Sequence, residues 1–108
     1  MTASEPMTEP ECVCLDELEG APHAVVFDRD TPRTIRLTLG SEQQLPGHRH
    51  PGTNVVCHLV AGELDLTLDG ESHRLAAGDL LRFSGDREIS PTAIEDSVAV
   101  LVFAPQKD

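Results

Sequence analysis

The sequence predicts an all-β domain, a barrel or a sandwich, from three observations. Eight or nine short runs from Ala24 onward are either alternating or continuously apolar. Gly, Pro and Asp punctuate them at regular spacing, with Asp69-Gly70 and Gly78-Asp79 the strongest turn signals. No window of eleven residues keeps a helical apolar period. Many short strands separated by tight turns close most simply on themselves or on a second sheet.

The elements follow in order. Ala24-Val25-Val26-Phe27 is a short buried run, and Thr34 to Leu39 alternates strictly, with Ile35, Leu37 and Leu39 on the inner face. Asn54 to Val60 is apolar on both faces. Glu63 to Leu68 alternates again and ends in Asp69-Gly70, so Ser72 to Leu75 is its return strand. Asp79 to Phe83 follows the next turn, Glu88 to Ile94 is weakly extended, and Val98 to Phe103 closes the pattern before Pro105. A strand in a lone small barrel keeps one wet face. Two-sided apolarity in 55–60 and 98–103 therefore predicts a second layer, most simply a homodimer.

Residues 1–20 read as an acidic, partly disordered tail and residues 21–108 as the barrel domain. The tail carries Glu5, Glu9, Glu11, Asp16, Glu17 and Glu19 and no basic residue, and its first ten positions are expected to be disordered. Leu15 to Leu18 is a candidate short turn that covers the barrel or reaches a neighbouring subunit. In the whole chain 19 acidic residues face 8 basic ones, a formal net charge of −11. Such a surface repels nucleic acid and anionic membranes. No stretch is long and apolar enough to span a bilayer, and the N-terminus lacks the basic and apolar blocks of a signal peptide, so a cytoplasmic protein is expected. Three cysteines, an odd number, argue against a disulfide framework. Cys12 and Cys14 read as reduced thiols near a chain end, and Cys57 as a small core residue.

One cluster carries chemistry. His48 and His50 stand two apart in the loop Leu45-Pro46-Gly47-His48-Arg49-His50-Pro51-Gly52. On extended backbone such a pair points to one side and can offer two imidazole nitrogens to one ion. A closing Gly62, the hairpin Glu63 to Glu71 and the start of a second motif at Leu75-Ala76-Ala77-Gly78-Asp79 follow in order. Over about residues 35–104 this succession resembles the cupin superfamily in its small single-domain, RmlC-like form. The resemblance implies a double-stranded β-helix, or jelly-roll barrel, whose mouth carries a metal held by three His and one Glu.

The sequence departs from that pattern twice. Six residues before Gly62 stands Val55 in place of the Glu, with Asn54 beside it. In Ser84-Gly85-Asp86-Arg87-Glu88-Ile89, Ile89 takes the place of the third His. Metal candidates are thus His48 and His50 alone, and two neutral imidazoles plus water hold a divalent ion weakly. Further candidates for the site are Cys57, if it shares the face of Val55; Asn54 and His58, if a bulge shifts the strand by one; Glu88, by a similar shift; and Arg82, if its charge points across the barrel. His23 and His73 read as plain surface residues, as does Arg36 on the outward face.

Three functions fit. The first is a barrel that binds a small apolar or anionic molecule, with or without one divalent transition metal (Zn, Fe, Ni, Mn or Cu) at His48 and His50. The second is a metal-dependent dioxygenase or isomerase with a non-standard third ligand. The third is a non-catalytic structural or regulatory dimer.

Overall fold

A computed structural model describes residues 10–29 and 31–106. The expected disorder of the first ten positions falls, but for Pro10, outside them. Eight strands follow a single 3-10 turn at Leu15–Glu17: β1 His23–Phe27, β2 Arg33–Leu39, β3 Thr53–Ala61, β4 Glu63–Leu68, β5 Glu71–Ala76, β6 Leu80–Ser84, β7 Ile89–Ala93 and β8 Ser97–Pro105. They form a five-stranded sheet in the order β1-β2-β8-β3-β6 and a three-stranded sheet in the order β5-β4-β7. Every pairing is antiparallel. This is the all-β architecture that the strand and turn pattern predicted, in the double-stranded β-helix form that the resemblance implied.

The alternation explains the core. Ile35, Leu37 and Leu39 of β2, Val55, Cys57 and Leu59 of β3, and Leu64, Leu66 and Leu68 of β4 all turn into one buried cluster. Burial of each such aliphatic side chain is worth about 1.5–3 kcal/mol. The other face of β4 is polar and paired: Arg74 of β5 forms an ion pair with Glu63, and Ser72 Oγ donates to Asp65 at 2.6 Å. At the β4–β5 hairpin Leu68 pairs with Glu71 across Asp69 and Gly70, both with positive φ (51° and 85°). That is the backbone a right-twisted two-residue turn requires.

Gly62 occupies a comparable constraint with φ 91°. A Cβ there would lie 2.2 Å from the Asp96 carbonyl oxygen, so only glycine lets the β3–β4 corner pass the start of β8.

Two readings of the sequence change. The run Ala24–Phe27 is not uniformly buried, since Val25 is 48% exposed. β1 lies at the edge of its sheet, where its inward face meets the barrel mouth rather than packed side chains. Arg36 does point outward but is not a surface residue, being only 9% exposed. Its guanidinium donates to the carbonyl oxygens of Leu15, Leu18 (3.3 Å) and Gly20 (2.8 Å), and so holds residues 15–20 against the sheet. An arginine on an apolar outer face has a reason once a chain segment supplies acceptors above it.

Candidate functional site at the barrel mouth

The segment before β3, read from sequence as a loop, runs beside β7 as an irregular extra strand. Leu45 N–H donates to Pro91 O at 3.0 Å, and His48 exchanges both backbone hydrogen bonds with Ile89, at 3.1 and 2.8 Å. His50 N–H then donates to Gly85 O at 2.8 Å, and the His50 carbonyl accepts from Thr53 Oγ1 at 2.7 Å. Extended backbone clamped at both histidines turns the two rings to one side. Their centroids lie 4.9 Å apart, edge to face, and the His50 ring leans on Phe103 at 4.8 Å. His48 Nδ1 sits 3.3 Å from Pro46 O, a contact that holds the ring in its plane.

Two residues join this pair: His23, read from sequence as a plain surface residue, and Arg33, which the sequence reading did not single out. His23 pairs in register with Leu37, whose side chain is inward, so His23 also faces the mouth. Arg33 is in phase with Ile35, Leu37 and Leu39 and pairs with Phe103, which places it on the rim of the same face. That phase is legible in the sequence for Arg33, as an i, i+2 continuation of the buried stripe. For His23 no such signal exists, because the register of an edge strand is set by pairing.

Two adjoining spaces, which share His23, Leu45, His48 and His50 in their walls, lie here. A narrow cavity of about 20 Å³ inside the barrel is lined by His23, His48, His50, Val55, Ile89 and Phe103 among others. Outside it opens a cleft of about 460 Å³, walled by Val25, Ile35 and Leu45, with His23, Arg33, His48 and His50 as its ionisable groups. Among the described residues no Asp or Glu lines either space. Burial pushes the His50 imidazole below its ordinary pKa, and the nearby His48, Arg33 and His23 push in the same direction. His23 is lowered too, first by burial and then by His48.

The remaining sequence candidates do not meet at the mouth. Cys57 is 0% exposed in the core and its thiol is pushed up to about 12 by burial, so it stays protonated and supplies no thiolate. β3 keeps a regular register against both neighbours from Asn54 to His58, the one shift, against β8, lying between Leu59 and Ala61. Asn54 and His58 therefore face outward, half-buried, and no bulge turns them in. Arg82 pairs with Val56 on that outer face and is exposed, so its charge does not cross the barrel. Glu88 is exposed and lies against Gly47, where a Cβ would come within 2.6 Å of its carboxylate oxygen. His73 is half-buried on β5, with Nε2 3.7 Å from Glu71.

The four positions at which the resemblance implies metal ligands do converge. His48, His50, Val55 and Ile89 all line the inner cavity. Two of them are aliphatic, Val55 1% exposed and Ile89 6%. Among the described residues no group of three His, Cys, Asp or Glu side chains lies close enough to hold one ion. The donor set does not fit a stable four-coordinate transition-metal site.

Comparison with known proteins agrees with the fold. KdgF from Halomonas sp. superposes with a TM-score of 0.77 at 19% identity over 94% of this chain and 97% of that one. An uncharacterised conserved protein with a double-stranded β-helix domain from Klebsiella pneumoniae gives 0.78 at 20% identity, covering 90% and 91%. The Cnp3 cupin domain of Schizosaccharomyces pombe gives 0.76 at 10% identity, covering 86% and 72%. No curated protein matches the sequence. At these identities the likeness is one of fold, and this barrel hosts unrelated functions. A family model described as "Cupin domain" matches residues 35–104, and the chain belongs to that family.

Proposed function

We propose that this protein is a small-molecule-binding cupin that works without a resident metal, its ligand entering at the mouth formed by His23, His48 and His50. One observation carries the reading. Two of the four positions converging on the inner cavity are the aliphatic Val55 and Ile89, so the cavity floor is built for apolar contact. The adjoining cleft of about 460 Å³ falls within the size range of small-molecule sites and combines apolar walls with a few convergent polar groups. The His23 and His50 imidazoles, disfavoured in their protonated forms first by burial and then by neighbouring charge, act as neutral hydrogen-bond partners at neutral pH.

The same reading includes a homodimer through the outer face of the five-stranded sheet. Val56, Val98, Val100 and Val102 are half-buried there, and Leu80 is 66% exposed. An apolar outer face of this kind is covered most simply by a second copy.

The test is elemental analysis of the untagged protein and of His48→Ala, with thermal melts of both against a small-molecule panel in the presence of chelator. Substoichiometric metal in both, with ligand-dependent rises in Tm that survive chelation, is the expected result. Near one transition metal per chain, lost in His48→Ala, would overturn the reading in favour of a metal-dependent enzyme.

A further inference from the structure

The groups lining the outer cleft are unlike the rest of the surface. The chain carries a net charge of −11, yet among the described residues the cleft collects one guanidinium and three imidazoles and no carboxylate. Arg33 stands at the rim, on the inward face of β2. Among the described residues Arg29, Arg49 and Arg74 each have a carboxylate partner and Arg36 has backbone acceptors, whereas Arg33, Arg82 and Arg87 take part in no such contact, and of these three Arg33 alone lines the cleft. In so acidic a protein, an arginine facing a cleft whose described lining holds no acidic side chain is poised for a ligand that supplies the acceptor.

Resting on the binding reading above, we propose that the cleft is a carboxylate-recognition subsite. Arg33 receives the carboxylate of the ligand in a two-pronged hydrogen bond, and the ligand's apolar portion lies on Val25, Ile35 and Leu45 and points toward the inner cavity. His23 and His50 flank that position as further hydrogen-bonding groups. The planar fork of a guanidinium matches a carboxylate better than a point charge does, so the site selects small monocarboxylates over their neutral analogues. The surrounding negative surface lowers the rate of anion encounter without altering this local match.

Hexanoate and 1-hexanol, equal in chain length and differing in charge, separate this proposal from the reading it rests on. Each is titrated into isotopically labelled wild type, Arg33→Gln and Arg33→Lys at low ionic strength, with amide shifts followed at Arg33 to Ile35 and at Leu45 to His50. The unperturbed part of each spectrum verifies that the variant is folded. The expected result is saturable hexanoate binding at those amides, weakened at least about tenfold in Arg33→Gln and by less in Arg33→Lys, with hexanol affected equally little in all three. Hexanoate and hexanol binding alike, with Arg33→Gln unchanged, would overturn the role of Arg33 and leave the small-molecule barrel standing. Absence of any response at the mouth to either compound would overturn both.

Discussion

The two ends of the barrel are built from the same strands and carry opposite chemistry. Along β2 the inward positions run Arg33, Ile35, Leu37, Leu39, from a charged rim to a residue 1% exposed. β3 and β8 complete the far end with Leu59, 0% exposed, and Ala99, 1% exposed. At the near end, Phe103 and Val55 meet three imidazoles instead of more aliphatic side chains. Polar groups are affordable only where cleft water reaches them, since burial without partners is costly. Stability is therefore concentrated at one end, and the other is free to present recognition groups.

Core truncation probes the difference most strongly. Leu59→Ala should lower the unfolding free energy by about 2–5 kcal/mol, and His50→Ala at the mouth by less than about 1 kcal/mol. Urea unfolding of both variants measures this, and equal losses would break the division of labour.

A smaller effect is expected from converting the mouth toward the family's metal pattern. Val55→Glu combined with Ile89→His should create zinc or nickel affinity absent in the parent, because all four positions line one cavity. Metal at 100 times its Kd would add about 2.7 kcal/mol over the metal-free double variant, seen as a rise in Tm. A folded double variant whose melt ignores metal would mean that the four side chains do not share one point.

The smallest effect is a pH slope. His50 and His23 have folded-state pKa values below the usual imidazole value, so below about pH 6.5 the unfolded chain binds more protons than the folded one. Stability contributed by their neutral forms is present above that pH and is lost as pH falls toward the folded values. His50→Asn should flatten the fall in Tm between pH 7 and 5 relative to wild type. An identical profile would show that the mouth is better solvated than its geometry implies.

The fold was legible because its signals are local. Alternation in Glu63–Leu68, the Asp69-Gly70 turn and the corner at Gly62 each act over a few residues, and each is where the pattern predicted it. The site was legible in part. His48 and His50 announce themselves by spacing, and Val55 and Ile89 by their places in a family motif. Arg36 was misread because its acceptors lie 16 to 21 residues earlier in the chain.

By itself, then, the sequence determined the β class, the inward stripe of each strand and the two-histidine pair, all of which follow from side-chain period and turn chemistry. Only the tertiary structure decided that no bulge turns Asn54 and His58 inward, that Arg82 turns away, and that His23 joins Arg33 and the two histidines at the mouth. Strand register across a sheet depends on which distant segments pair, and a shift of one residue would exchange every inward side chain for an outward one.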